Sequence, residues 1–349
     1  MMGKSVKKKV LFFANIPIRH EERSIGGATV LAENILEFIN SEKQIDVFHK
    51  QIRRFWRNKL QIIDYALWLI KFPFVILDKD VVSIHGTKDL HFTIGPILCL
   101  WAKLLNKKTV YHFFGGNFHK QYEKLPKTMR WFYRKTILNC DTVFFETKFL
   151  VDYFNDTVKS VEWLPNARKP IIQDIQPRPF EKKFVFISRI IPQKGINELI
   201  QAANLLDSSY TVDVYGPIDS RHYKENIFEN TNINYKGILK PEEVTKTLAT
   251  YNYLLLPSYF EGEGYSGIII ESLALGIPVI TTKWQALPEI ITHGYNGILI
   301  DIKAYKQLYD AIISINTANY INFQKNTLES FKNFNSDVVF NRLIKSYLK

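Results

Sequence analysis

PSYFEGEGYSGIIIESLALGIPVITTKW, residues 257–284, decides the fold. The apolar run YLLLPS (253–258) reads as a strand, and it leads into a glycine-rich loop. The apolar residues after Gly267 read as a helix, and PVITT (278–282) as the next strand. Gly262, Gly264 and Gly267 let the backbone come close to a ligand. The helix N-terminus that follows offers free amides and the positive end of a dipole, which together suit a phosphate. Strand, loop, helix and strand in this order make one unit of a parallel sheet covered by helices.

Two carboxylates flank the turn, Glu263 in the loop and Glu271 in the helix. A helical carboxylate at the mouth can accept two hydrogen bonds from a ribose diol. A loop carboxylate nearer the reacting centre can orient a sugar ring or stabilise positive charge on it. The spacing alone is common; the glycines around it and the following ALGIPVITT give it weight. GEGYSG (262–267) also satisfies G-x-G-x-x-G, with Glu289 at a tolerable distance downstream. That dinucleotide fingerprint belongs to the first strand–helix turn of its unit, however, and this loop follows the fourth strand of its half. Glu263 would also set a negative charge beside a pyrophosphate.

Outward from this stretch the same alternation continues. Strands are expected at KKVLFFANI (8–16), IDVFH (45–49), DVVSIHG (80–86), TVYHFF (109–114), TVFFE (142–146) and VEWLP (161–165). A second series follows at FVFISRI (184–190), TVDVYG (211–216), INYKG (233–237), YLLLPS (253–258), PVITT (278–282) and GILI (297–300). Helical periodicity lies between them, as in ATVLAENILEFIN (28–40) and PILCLWAKLLN (96–106). The proline-rich PNARKPIIQDIQPRPFEKK (165–183) breaks the pattern and reads as a linker. The expected class is α/β, with two facing Rossmann-like domains, mainly parallel sheets and an interdomain cleft. The boundaries are 1–168 and 169–330, with a C-terminal helix at 331–349 packing back toward the N-terminal domain. A chain of 349 residues, 46% apolar, suits two cores rather than one.

Charge divides unevenly. Residues 1–170 hold 28 Lys and Arg against 16 Asp and Glu, whereas residues 171–349 hold 18 of each, so the N-terminal half carries the whole excess of +12. Such a half expects an anionic partner: nucleic acid, a membrane surface or a phosphorylated substrate. No helix-turn-helix, zinc-finger or RNA-binding signature accompanies it, which argues against nucleic acid. Cys99 and Cys140 are isolated and fit a reducing compartment. The basic N-terminus followed by VLFFANIPI reads as a first strand rather than a signal peptide, and no apolar run approaches the roughly 20 residues of a spanning helix. A cytoplasmic protein is therefore expected. There is no CxxC or HExxH, and Asp78-Lys79-Asp80 imitates a DxD motif at the wrong end of its strand, so no metal or other cofactor is expected.

A second constellation is SRIIPQKGINELI (188–200). Arg189 ends a strand and Lys194 opens a helix, two cations placed to neutralise a diphosphate. The motifs ISRIIPQKG (187–195), PSYFEGEGYSGIIIESLALGIPVI (257–280) and LPEIITHGYNGILI (287–300), in this order, resemble the retaining glycosyltransferases of family four, the glycosyl transferases group 1, whose two-domain fold is called GT-B. The resemblance covers the C-terminal half and, more loosely, the N-terminal half. It implies that Arg189 and Lys194 bind the donor diphosphate and that Glu271 holds the ribose hydroxyls. It sets Glu263 beside the transferred sugar, with the backbone of Gly264, Tyr265, Ser266, Gly267 and Ile268 around the sugar and phosphate. Gly26 and Gly27 match the glycine loop that approaches the donor phosphates from the N-terminal domain. One departure stands out: where the family has a His-Gly pair that assists at the sugar, this chain has Phe114-Gly115. His112, two residues earlier and on the same strand face, is the candidate replacement, and His85 a second one.

The resemblance implies transfer of a hexose-type sugar from a nucleoside diphosphate sugar to a hydroxyl acceptor, with retention, in surface polysaccharide or glycolipid assembly. The alternatives are a nucleotide-sugar epimerase of similar fold and a basic nucleic-acid-binding protein. The donor base and sugar stay open. KQIRRFWRNKLQIIDYALWLIKFPFVIL (50–77) joins Arg53, Arg54, Arg57 and Lys59 to Phe55, Trp56 and an apolar helix with Ile62, Ile63, Leu67, Leu69 and Ile70. That composition suits the surface of an anionic membrane, with the enzyme peripheral at its inner face and a lipid-linked saccharide as acceptor.

Overall fold

Runs of β-branched and aromatic residues become buried strands throughout this chain. The computed structural model describes residues 7–18, 21, 24, 26–52, 58–171 and 178–349. They form two units, Met1–Asn166 with Ser336–Lys349 and Ala167–Asn335. Residues 172–177 of the proline-rich segment and residues 53–57 of the cationic stretch, with Arg53, Arg54, Phe55, Trp56 and Arg57, lie outside the described residues.

Unit 1 opens with β1 (Lys8–Phe13), α1 (Gly27–Asn40), β2 (Ile45–Lys50), α2 (Asn58–Ile76) and β3 (Val81–Gly86). Then come α3 (Lys88–His91), α4 (Gly95–Leu104), β4 (Lys108–Phe113), α5 (Phe118–Glu123), α6 (Lys127–Lys135), β5 (Thr142–Phe145), α7 (Lys148–Phe154) and β6 (Val161–Trp163). The six strands lie in the order β2-β1-β3-β4-β5-β6, every pair parallel. β3 and β5 are buried along their whole length, as strands covered on both faces must be. On one side Phe13, Phe72, Leu98, Tyr111, Phe113, Phe118 and Phe145 share a core with α2, α4 and α5. Cys99 and Cys140 are free thiols within it, 3.6 Å apart.

Unit 2 repeats the architecture with β7 (Lys183–Ile187), α8 (Ile196–Ala203), β8 (Thr211–Tyr215), β9 (Asn234–Tyr235), α9 (Pro241–Leu248) and β10 (Tyr253–Leu256). It continues with α10 (Gly267–Ala274), β11 (Val279–Thr282), α11 (Leu287–Ile290), β12 (Gly297–Ile300), α12 (Tyr305–Ile313) and α13 (Thr317–Phe331). The order is β12-β11-β10-β7-β8-β9, again parallel throughout. A strand overlaps each of the twelve expected stretches. The loop 262–267 follows the fourth strand of its unit, which removes the first-turn context that a dinucleotide fingerprint needs.

The chain then returns to unit 1 as α14 (Ser336–Leu348). Val339, Phe340, Leu343, Ile344 and Tyr347 are buried, and Phe340 meets Phe38 of α1 edge-on with ring centroids 5.5 Å apart. In each sheet the order reverses once, between β1 and β3 in unit 1 and between β7 and β10 in unit 2. Ligands of open α/β sheets bind beyond the carboxyl ends of the strands at such reversals.

Candidate functional site

The reversal in unit 2 collects the charged residues. Gly195, at the start of α8, has φ of 79°, and a Cβ there would lie 2.2 Å from the Pro257 carbonyl oxygen. Only glycine lets the two chains touch so closely, and the contact brings the preceding Lys194 over the end of β10. Lys194 Nζ lies 2.6 Å from Glu263 Oε2, and the two residues are 8% and 5% exposed. The Ser258 hydroxyl donates to the same carboxylate oxygen at 2.5 Å. A carboxylate this buried is tolerable because a cation and a hydroxyl take up its charge. Phe260 lies beneath both cations: Lys194 Nζ is 5.2 Å from its ring centroid and the Arg189 guanidinium carbon 5.8 Å. Trp284 holds the loop by donating from Nε1 to the Phe260 carbonyl at 2.9 Å.

The loop then enters α10. The first ladder bonds run from the amides of Ile269 and Ile270 to the Ser266 carbonyl. The amides of Gly267 and Ile268 precede that ladder and stand at the positive end of the helix. Tyr265 is buried beneath the turn and donates from its hydroxyl to Glu289 at 2.6 Å. Glu289 thus anchors the loop through a tyrosine. One turn into the helix, Glu271 Oε1 accepts from Arg168 Nε at 2.7 Å, with the two side chains 20% and 13% exposed. Arg168 is itself held, its amide by the Phe334 carbonyl and its guanidinium by the Ala167 carbonyl.

The reversal in unit 1 encloses a cavity of about 530 Å³. Ala14 and Asn15 beyond β1, His85 and Gly86 at the end of β3, Thr87 and Asp89 beyond it, and Phe114 beyond β4 are among its walls. Ala28 and Thr29 line it from the first turn of α1. Just before them, Gly26 and Gly27 are exposed, and a Cβ at either would meet nothing within 4 Å, so their backbone faces open space. Gly115 turns the chain beyond β4 with φ of 93°, and its amide donates to Glu146 Oε2 at 2.6 Å.

His112 and Phe114 share a strand face, with ring centroids 4.6 Å apart. Phe114 reaches the cavity; His112 is wholly buried, its Nε2 3.3 Å from the Leu164 carbonyl oxygen, and is not among the cavity-lining residues. His85, paired across the ladder with His112, is the histidine in the wall. Burial pushes the His112 imidazole down to about 3 and that of His85 well below its ordinary range, so both are neutral.

Asp78 and Asp80 have structural partners: Asp78 pairs with Lys79 and Lys9, and Asp80 accepts from the Lys9 amide. Among the described residues no group of three or more His, Cys, Asp or Glu could hold a metal ion, and no helix is long and apolar enough to cross a membrane. The structure thus brings Arg189, Lys194, Glu263 and the start of α10 together and holds Glu271 one turn on. Gly26, Gly27 and His85 stand around the unit 1 reversal. Sequence reasoning missed Ser258 and Arg168, the partners of the two carboxylates. Arg168 lies in a segment whose prolines mark it as a linker, and nothing local in the sequence pairs it with Glu271.

Residues 168–332 match the family described as glycosyl transferases group 1. The chain is 23% identical over 312 residues to an uncharacterized glycosyltransferase of Methanocaldococcus jannaschii, covering 83% of this chain and 85% of that protein. It is 26% identical over 133 residues to the capsular polysaccharide biosynthesis glycosyltransferase CapM of Staphylococcus aureus, covering 36% of this chain and 34% of CapM. The crystal structure of Anabaena HepE in complex with UDP superposes with a TM-score of 0.73 at 14% identity, over 97% of this chain and 99% of HepE. With two parallel six-stranded sheets and this superposition, the chain has the GT-B fold, and nearly all of unit 2 is similar to the group 1 glycosyl transferases.

Proposed function

We propose that the protein transfers a sugar from a nucleoside diphosphate sugar to a hydroxyl acceptor with retention of configuration, as a family four enzyme of surface polysaccharide or glycolipid assembly. The observation that carries this reading is the meeting of Arg189, Lys194 and Glu263 over Phe260, beside the first amides of α10. A diphosphate arriving there competes with Glu263 for Lys194 and gains Arg189 and the amides of Gly264 to Ile268. Glu263, relieved of its cation, turns to the sugar, where its charge is best matched by an oxocarbenium-like centre. Glu271, aimed by Arg168, accepts from the ribose diol. The residues supply charge for the leaving diphosphate, and the reaction runs without a metal.

The acceptor belongs to the unit 1 cavity, where His85 stands in the wall and His112 acts only through it. CapM is named for capsular polysaccharide biosynthesis, which favours a saccharide acceptor. Docking on an anionic membrane is supported by α2, which exposes Leu60, Ile63, Leu67, Ile70 and Phe74 in a three-and-four spacing, with Leu77 just beyond it. Leu100, Trp101 and Leu104 are exposed on α4, which packs against α2, and Lys71 of α2 is exposed as well.

A thermal-shift series with UDP, GDP, ADP, CMP and NAD tests the donor site. A nucleoside diphosphate at a hundredfold its Kd adds about 2.7 kcal/mol. Stabilisation by NAD alone, or by none of them, would overturn the assignment.

A further inference from the structure

One chain of hydrogen bonds in unit 1 runs from the last helix to the cavity wall. The Tyr347 hydroxyl of α14 donates to Ser83 Oγ at 2.7 Å. Ser83 Oγ lies 2.8 Å from His85 Nε2, His85 Nδ1 lies 3.2 Å from His112 Nδ1, and His112 Nε2 lies 3.3 Å from the Leu164 carbonyl oxygen. Ser83 and His85 alternate on β3, so both point to one face, and the ladder puts His112 of β4 opposite His85. All four side chains are buried.

The protons in this chain have one arrangement. A carbonyl oxygen only accepts, so His112 carries its hydrogen on Nε2. As a neutral ring it accepts at Nδ1, and His85 must donate there from its own Nδ1. His85 then accepts at Nε2 from the Ser83 hydroxyl, whose oxygen accepts from Tyr347. Neutral rings are required because both rings are buried and, among the described residues, neither has a carboxylate as hydrogen-bond partner. With both nitrogens committed, His85 offers the cavity only ring carbon, beside Phe114 at 6.2 Å between centroids.

We propose that Tyr347, Ser83 and His112 are positioning residues that lock His85 as an Nδ1–H ring, so that the last helix sets what the cavity wall presents to the acceptor. The part played by the acceptor rests on the function proposed above; the tautomers do not. A ring held this way is an apolar platform for the face of a sugar and has no nitrogen free to act as base or donor toward a hydroxyl.

The test is nitrogen NMR of the protein labelled at histidine, at neutral pH and without substrate. The expected result is Nδ1–H for His85 and Nε2–H for His112. Ser83→Ala leaves His112 Nδ1 as acceptor, so His85 should stay Nδ1–H; Ser83→Ala with His112→Leu removes both constraints and should shift His85 toward the Nε2–H tautomer. With that shift, the KM for the acceptor should rise about 2- to 12-fold, the worth of one hydrogen bond, with donor KM unchanged. Tyr347→Phe keeps the buried ring and, added to His112→Leu, should move both readouts less, in the same direction. Wild-type His85 found as Nε2–H or as imidazolium would overturn the lock. A tautomer change in the double variant with acceptor KM unmoved would overturn the link to the wall. Failure of the donor screen, by contrast, leaves the tautomer result standing.

Discussion

Lys194 and Glu263 form an ion pair 2.6 Å long, and both residues are more than nine-tenths buried. A buried pair of this kind is poor value for stability, since desolvation costs about as much as the attraction returns, but removing one partner strands the other charge at a cost of about 3–5 kcal/mol. Lys194→Met should therefore lower stability strongly, and Lys194→Met with Glu263→Gln should recover much of the loss while remaining inactive. Urea unfolding of the wild type, both single variants and the double variant measures this. A double variant no more stable than Lys194→Met would mean that the pair is not what neutralises Glu263.

Glu263→Gln alone should reduce kcat far more than it raises donor KM, because its negative charge is needed at the transition state. Steady-state kinetics of the folded variant would separate the two parameters. A change confined to KM would make Glu263 a binding residue only. Proton NMR of the wild-type product should show the donor's anomeric configuration, and EDTA should leave the rate unchanged.

Glu271→Ala should weaken nucleoside diphosphate binding by about 1.5–3 kcal/mol, the worth of hydrogen bonds to a charged group. Arg168→Ala should weaken it less, since Arg168 orients the carboxylate without taking its place. Titration calorimetry with the diphosphate checks the ranking. An Arg168 variant as impaired as the Glu271 variant would put Arg168 itself on the ligand.

Acid should destabilise the protein through its buried histidines. Burial holds His91 and His112 down at about 3. Below the unfolded value of about 6.5 the unfolded chain takes up protons that the folded chain refuses, so this contribution is complete above about pH 6.5 and is lost as pH falls toward 3. Between pH 7 and pH 5 the loss is about 2 kcal/mol for each of the two. Urea midpoints at the two pH values report it, and a midpoint that stays level or rises on acidification would contradict their neutrality.

Leu67→Glu with Ile70→Glu, on the exposed face of α2, should abolish co-sedimentation with anionic vesicles and leave the melting temperature nearly unchanged, since neither residue is buried. The wild type should bind such vesicles at low salt and release at high salt. Equal binding to neutral vesicles would defeat electrostatic docking, and no binding to either would remove the membrane from the proposal and favour an acceptor in solution.

Much of the fold is legible because strands buried on both faces read as continuous apolar runs, as VLFF in β1 and YLLL in β10 do. The charged reversal in unit 2 is legible because its glycines and cations fall in one local order. What escapes is pairing across distance. Ser83 and Tyr347 are 264 residues apart, and no local pattern joins them. Alternation rightly places His112 and Phe114 on one face, yet which of them reaches the cavity depends on where β4 ends, and that end lies at Phe113.

The placement of α14 has a consequence for the order of assembly. Unit 2 is one uninterrupted stretch, whereas unit 1 needs residues 336–349, which leave the ribosome after all of unit 2 has been made. Until then Leu343, Ile344 and Tyr347 are missing from one face of a sheet whose strands were synthesised first. The second unit thus has every residue it needs to fold before the first can be completed, reversing the usual N-terminal-first sequence of vectorial folding. A nascent chain stalled after residue 335 would carry a finished second unit tethered to an open hydrophobic sheet, the form of this protein most in need of a chaperone.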